Sequence, residues 1–375
     1  QIQNEKKKKR EVEKAEKEGA NIHNPLFYEI GSVVSAACLA HDMGNPPFGH
    51  SGEDAIAQFF RKNPNNQIQD ELTEGEWKDF TLFDGNANAF RLLSHQFHGR
   101  REGGFALTYS TLAAIVKYPY ESVLSTKPKF GFFQSEKSIF ERIGNELGLI
   151  RLSADPVRFV RHPLVFLVEA ADDICYQLMD LEDAHKLKIH SFDHTYSLLM
   201  GFFDEQTENK QIARISETLR LVSDPNEQIA YLRASVIGKL VKQCVQVFWE
   251  KQDEILSGKF QTPLIDCVPQ TSLDAIREIK KVSIQNIYND RAVVEIEISG
   301  YQIIGTLLEV FTEAILNPEE GISRKMTQLI PAQFGRAHNS TYEKIQSVVD
   351  FVSGMTDLYA LDLYRKIKGI NIPGV

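Results

Sequence analysis

Apolar residues recur at three- and four-residue intervals along most of the chain, which is the spacing of amphipathic helices. Residues 28–42 form an apolar segment that Gly44 and the Pro46–Pro47 pair should end. Ser51 is suited to cap a second helix, since acidic residues follow in its first turn. The same spacing predicts further helices near residues 85–97, 108–119, 163–186, 226–256 and 341–369.

Two segments depart from this pattern. Residues 62–83 are polar with few periodic apolar positions, so we expect a surface excursion there. In "AVVEIEIS", Val294, Ile296 and Ile298 alternate with glutamates, which predicts a half-buried strand. The chain is therefore predicted to be mostly α, with a small β element around residues 292–299.

Composition narrows the class of protein. The 375 residues are 42% hydrophobic and 25% charged, as in ordinary globular proteins. The net charge of -9 argues against a surface that binds nucleic acid everywhere. Four cysteines without a CxxC pair indicate reduced thiols and a cytoplasmic protein. No apolar run approaches about 20 residues, so no membrane span is predicted.

The stretch "CLAHDMGNPPFGHSGE" concentrates chemistry behind the first apolar helix. His41 and Asp42 offer an imidazole nitrogen and a carboxylate, which suit Mn, Fe, Ni, Co or Zn, whereas Mg prefers more oxygens. A stiff Gly/Pro loop then presents His50 and Glu53 on one helix face, a general acid–base arrangement. Each pair alone would equally fit ordinary surface residues at a helix end, but their proximity favours a metal-centred active site.

A second cluster lies on the predicted helix after Pro163. Asp172, Tyr176 and Asp180 are four residues apart and share one stripe. On a buried helix, Asp172 could bind a metal, Tyr176 could stack on a ring and Asp180 could accept hydrogen bonds. The alternative is a solvated helix face. Asp173 points elsewhere and is expected to be structural.

Three stretches in order, "HDMGNPPFGHSGE", "EAADDICYQLMDLED" and "VSGMTDLYALDLY", resemble the HD-domain deoxynucleotide triphosphohydrolases, most closely the bacterial dGTPases. The similarity extends over roughly residues 30–370. It implies a helical HD-domain phosphohydrolase fold in which two histidines and two aspartates hold a divalent metal. It also implies hydrolysis of a dNTP to deoxynucleoside and inorganic triphosphate by attack at the α-phosphorus, with dGTP as the first candidate substrate.

The resemblance also implies roles for individual residues. It assigns His41, Asp42 and Asp172 to the metal, with Mn or Mg favoured and Ni, Co, Fe or Zn as alternatives. His50 and Glu53 would be the catalytic pair, acting on the water or on the 5′-oxygen. The substrate would be contacted by Asn45, Tyr176, Asp180, Lys117, Tyr118 and Lys129, with Tyr176 against the deoxyribose and the lysines near phosphate.

The resemblance extends to the architecture. Residues 1–200 would be the catalytic core, and residues 201–375 a helical region that completes the substrate pocket. The partners implied are dGTP or another dNTP, further copies of the chain in a hexamer, and single-stranded DNA.

One expected residue has no match in the chain. The family's first metal histidine precedes the His-Asp doublet, and only His23 stands there, in a predicted turn. We expect that histidine upstream of Gln1 and a weakened or absent activity for this chain. Two other functions remain as alternatives: another HD-domain nucleotide phosphohydrolase, or a non-catalytic nucleotide or single-strand binding protein that uses the N-terminal lysine run. The intact His50 and Glu53 argue against the second.

Overall fold

The computed structural model describes residues 25–62, 66–335 and 340–370, and this part of the chain is mostly α-helical. His23 and the N-terminal lysine run lie outside the described residues. The helices up to the small sheet are α1 Pro25–Ala40, α2 His50–Lys62, α3 Asn66–Asp70, α4 Glu74–Thr81, α5 Gly85–Ser94, α6 Tyr109–Ile115 and α7 Lys137–Glu146.

An antiparallel pair of short strands, β1 Arg151–Ala154 and β2 Val157–Phe159, separates these helices from the next group. The later helices are α8 Val165–Lys186, α9 Phe192–Met200, α10 Asn209–Leu221, α11 Pro225–Glu250, α12 Gln252–Leu256, α13 Gln270–Val282, α14 Arg291–Leu316, α15 Gly321–Thr327, α16 Thr341–Ser353 and α17 Asp357–Ile367. None of the helices in the described ranges combines the length and the apolar character that crossing a membrane requires.

Three hydrophobic clusters hold these helices together. The first joins α2, α4, α14, α16 and α17; the second joins α8 to α9, α10, α11 and α13; the third joins α1, α5, α6 and α7. Helix α8 contributes to two of them, with Phe166 in the second and Val168 in the third. The helix predicted near residues 226–256 is confirmed as amphipathic in α11, because Leu232, Val236 and Leu240 lie on one stripe and are fully buried in the second cluster.

Two sequence-based expectations are wrong. The β element predicted at residues 292–299 is the start of α14, and Ile296 and Ile298 are exposed there rather than half-buried. Asp290 caps this helix by accepting from the Ala292 amide at 2.9 Å, and the buried residues that fix α14 lie further along, from Gly300 onwards. The alternation of glutamate and isoleucine therefore does not reflect a buried face, because residues 295–299 are exposed all around the first turns of α14.

The second error concerns the segment 62–83: residues 69–74 are mostly exposed, but residues 75–83 pack against the core instead of continuing a surface excursion. Phe80 and Phe83 are fully buried in the first cluster, and Asp79 is buried with three hydrogen-bond donors around its carboxylate. Burial raises the pKa of Asp79 to about 7. The apolar residues of this segment are few but large, so their spacing gave no periodic signal.

Close packing fixes the turn that carries the His-Asp doublet. After α1 the chain forms a tight 3-10 turn, His41–Gly44, which rests on α5. A Cβ on Gly44 would lie 2.0 Å from the Ala89 nitrogen and 2.1 Å from the Gly85 oxygen. Only glycine allows this approach, and Asn88 reinforces it by donating to the Gly44 oxygen at 2.8 Å.

Candidate active site

The structure brings His41, Asp42 and Asp172 together at the junction of α1 and α8. Nε2 of His41 lies 3.3 Å from Oδ2 of Asp42 and 3.4 Å from Oδ1 of Asp172. One ligand atom from each residue lies within 4.8 Å of the others, and no second group of three or more such ligands occurs in the described part of the chain. Two helices that are distant in sequence therefore converge on one point.

The hydrogen bonds of His41 suit a metal ligand. Its Nδ1 lies 2.8 Å from the Cys38 carbonyl oxygen, so Nδ1 carries the proton and donates it there. Nε2 is then a buried lone pair that faces two carboxylates, and it has no hydrogen-bond partner. A cation between the three groups resolves this repulsion, and one imidazole with two carboxylates is a donor set for a divalent ion of the first transition row.

The same contacts shift the ionisation of both groups. Direct contact with Asp172 raises the pKa of His41, and contact with His41 lowers the pKa of Asp172. Asn45 supports the second carboxylate by donating from Nδ2 to Oδ1 of Asp42 at 3.1 Å. The contact thus favours the charged form of each of these two side chains, and a metal ion bound at Nε2 of His41 would take the place of the proton there.

His50 and Glu53 form a hydrogen-bonded pair at the start of α2. Nδ1 of His50 lies 2.9 Å from Oε2 of Glu53, and the Gly85 amide donates to Oε1 of the same carboxylate at 2.7 Å. This contact with Glu53 raises the pKa of His50. Glu53 is anchored at the start of α5, whereas the His50 ring is 76% exposed and free to meet a ligand.

A cavity of about 230 Å³ joins the two groups of residues. It is lined by both histidines, Asp42, Glu53 and Asp172, and also by Asn45, Tyr176, Lys117, Tyr118 and Lys129. Lys117 forms an ion pair with Glu169, Nζ to Oε1 at 2.9 Å, and Lys129 lies 3.8 Å from Oδ1 of Asp84. Burial lowers the pKa of Lys117, but the negative charge and hydrogen bond of Glu169 outweigh the effect of burial, so the pKa of Lys117 is raised. Both lysines thus line the cavity, and each lies beside a carboxylate.

Asp180 is the one predicted site residue that the structure does not place in this cavity. It lies one turn beyond Tyr176 on α8, where the Tyr288 hydroxyl donates to its Oδ2 at 2.7 Å. The spacing that put Asp172, Tyr176 and Asp180 on one stripe was right, but the cavity ends at Tyr176. Asp180 instead joins α8 to the segment after α13.

Two further polar residues of the cavity were not predicted. Asn86 lies in the first turn of α5, and Glu169 precedes Asp172 by three residues on α8. Glu169 is buried and contacts both Lys117 and Arg161. Its spacing from Asp172 could have placed it on the same face, but nothing local in the sequence reveals the two cations that it meets.

Comparison with known proteins places the chain in a family. The model of the phosphohydrolase-associated domain matches residues 267–366. A Synechocystis protein named deoxyguanosinetriphosphate triphosphohydrolase-like is 36% identical over 92% of this chain and 78% of its own length. The chain belongs to the deoxyguanosinetriphosphate triphosphohydrolase-like family. A Pseudomonas aeruginosa protein of the same name is 34% identical over 92% of this chain and 79% of its own length.

More distant members support the same assignment. A Yersinia pseudotuberculosis protein named deoxyguanosinetriphosphate triphosphohydrolase is 28% identical over 91% of this chain and 79% of its own length. Membership in the triphosphohydrolase-like family supports phosphohydrolase activity and implies a divalent metal cofactor. The group of His41, Asp42 and Asp172 fits such an ion.

Proposed function

We propose that this protein hydrolyses dGTP to deoxyguanosine and inorganic triphosphate in a metal-dependent reaction. Water supplies the oxygen that joins the α-phosphorus, and the bond from that phosphorus to the 5′-oxygen breaks. The observation that carries the proposal is the convergence of His41, Asp42 and Asp172 within 4.8 Å in a member of the triphosphohydrolase-like family. The names of the relatives supply the substrate.

His41, Asp42 and Asp172 would hold the divalent ion, with Mn or Mg as the first candidates. When bound, such an ion polarises a phosphoryl oxygen and lowers the pKa of coordinated water. Cys38 and Asn45 orient the ligands, since the Cys38 carbonyl oxygen accepts a hydrogen bond from Nδ1–H of His41 and the Asn45 amide donates one to Asp42.

The His50–Glu53 pair moves the proton. Glu53 is held by the Gly85 amide and keeps His50 protonated to a higher pH than a free imidazole. His50 can then donate from Nε2 to the 5′-oxygen as it leaves, or hold the attacking water when it is deprotonated. Its exposed ring at the mouth of the cavity suits either role.

The remaining cavity residues suit a deoxynucleotide. Lys117 and Lys129 offer positive charge to the triphosphate, whose charge has to be balanced as the bond breaks. Tyr176 is half-exposed, so its ring is free to pack against deoxyribose, where a 2′-hydroxyl would collide. These contacts favour a dNTP over a ribonucleotide.

The products of the reaction test this proposal. The full-length protein is incubated with dGTP and Mn²⁺, and the phosphates are separated by anion-exchange chromatography. We expect triphosphate and deoxyguanosine in equal amounts, and much slower turnover of GTP. Pyrophosphate or orthophosphate as the first product would indicate a different phosphohydrolase, and binding of dGTP without any product would indicate a non-catalytic nucleotide-binding protein.

A further inference from the structure

One carboxylate that lines the cavity contacts two cations at once. Glu169 on α8 pairs through Oε1 with Nζ of Lys117, at 2.9 Å, and through Oε2 with Nη2 of Arg161, at 2.5 Å. The Glu169 side chain is 2% exposed, and that of Arg161 is 10% exposed. Lys117 is the most exposed of the three, at 29%, and it alone of the two cations lines the cavity.

The charges of this triad do not cancel. One carboxylate balances one cation, so the group carries a net positive charge, and its cation on the cavity side is Lys117. Arg161 is fixed away from the cavity, because its guanidinium also lies over the ring of Phe166, 4.2 Å from the centroid. Without Arg161, the buried Glu169 would be free to neutralise Lys117 completely.

We infer that Arg161 and Glu169 are positioning residues that hold Lys117 at the cavity with its charge available for a substrate phosphate. Glu169 fixes where the ammonium lies, and Arg161 balances the charge of Glu169. The inference rests on the proposed function, because it names the phosphate chain of the substrate as the group that Lys117 meets. Neither Arg161 nor the carboxylate of Glu169 needs to touch the substrate.

The test compares an anionic and an uncharged inhibitor. Inhibition constants for inorganic triphosphate and for deoxyguanosine are measured on the unmodified protein and on Arg161→Met, Arg161→Lys and the double variant Arg161→Met/Glu169→Gln. Arg151→Met is the matched control, since Arg151 also pairs with a glutamate, Glu141, and lies over a ring, Phe159, but does not line the cavity.

Arg161→Met should weaken the binding of triphosphate roughly tenfold, because the buried carboxylate of Glu169 then cancels the charge of Lys117. The inhibition constant for deoxyguanosine, which is uncharged, should not change. Arg161→Lys keeps the positive charge, so its inhibition constant for triphosphate should stay near that of the unmodified protein. The double variant should recover most of the loss, since it removes the carboxylate together with its counter-ion. The Arg151→Met control should bind both inhibitors normally.

Two outcomes would overturn the inference. If Arg161→Met weakens the binding of deoxyguanosine as much as that of triphosphate, Arg161 only supports the fold of the pocket. If the double variant binds triphosphate no better than Arg161→Met, Glu169 does not compete for Lys117. If the unmodified protein releases no triphosphate from dGTP, the proposed function is wrong. The inference about Arg161 and Glu169 can still be tested in that case, by calorimetric titration of inorganic triphosphate into the same variants.

Discussion

At the scale of single residues, the site depends on contacts that determine which imidazole nitrogens of His41 and His50 carry a proton. The Cys38 carbonyl oxygen accepts a hydrogen bond from Nδ1–H of His41, which leaves the Nε2 lone pair facing two carboxylates, whereas Glu53 stabilises the protonated form of His50. The sequence placed His41, Asp42, His50 and Glu53 near one another because they are close in the chain. It could not show that Tyr288 would engage Asp180, 108 residues away.

The first prediction concerns the pH dependence of His50. The raised pKa means that the His50–Glu53 pair is fully formed below the ordinary pKa of histidine and is lost as the pH rises through the raised value. Glu53→Gln removes the charged acceptor, so the pKa of His50 should fall. The limb of the pH–rate profile that belongs to His50 should therefore move to lower pH.

This shift is measured from kcat against pH, with NMR titration of the His50 ring as the direct readout. His194→Gln is the control, because His194 is exposed and lies on α9 away from the cavity. An unchanged pKa of His50 in Glu53→Gln would show that the hydrogen bond does not set its ionisation.

At the scale of elements, helical periodicity was a sound guide and strand alternation was not. The helices around residues 163–186 and 226–256 are confirmed as α8 and as α11 followed by α12, because long buried stripes leave a clear pattern. The segment 292–299 shows the opposite case, since exposed residues carry no information about the core. The β1–β2 pair was missed because strands of four and three residues are too short to show a period.

The second prediction tests how one element positions the doublet. Gly44→Ala puts a methyl group about 2 Å from backbone atoms of α5, so the His41–Gly44 turn must move. We expect a loss of about 1–3 kcal/mol in the free energy of unfolding and weaker binding of Mn²⁺. Chemical denaturation and metal titration measure the two effects.

Gly31→Ala is the matched control on α1, where a Cβ meets no heavy atom within 4 Å. It should be neutral or stabilise the helix by up to about 1 kcal/mol. If Gly44→Ala behaves like Gly31→Ala, the contact with α5 does not fix the metal ligands.

At the scale of the whole molecule, buried ion pairs connect segments that are far apart in sequence. Arg91 on α5 donates from Nε and Nη2 to the two oxygens of Asp350 on α16, each at 2.7 Å, and from Nη1 to Glu136. All three side chains are almost fully buried. No pattern in the sequence indicates this network, because Arg91 and Asp350 are 259 residues apart.

The third prediction follows from that burial. Arg91→Met leaves the buried Asp350 without a counter-ion and Glu136 with His95 as its remaining ion-pair partner, and it should lower the free energy of unfolding by about 3–5 kcal/mol. Arg291→Met is the control, since the Arg291–Glu295 pair is exposed, and it should change stability by less than about 0.5 kcal/mol. Similar denaturation midpoints for the two variants would mean that the network adds little.

The most direct test of the account is a calorimetric titration of Mn²⁺ into the unmodified protein, Asp172→Asn and Asp173→Asn. Asp173 is the neighbour of Asp172 on α8, it is partly buried, and it is not a member of the ligand group. We predict one Mn²⁺ per chain for the unmodified protein and for Asp173→Asn, and no measurable binding for Asp172→Asn. Equal binding by Asp172→Asn and the unmodified protein would contradict the claim that α1 and α8 converge on one metal ion.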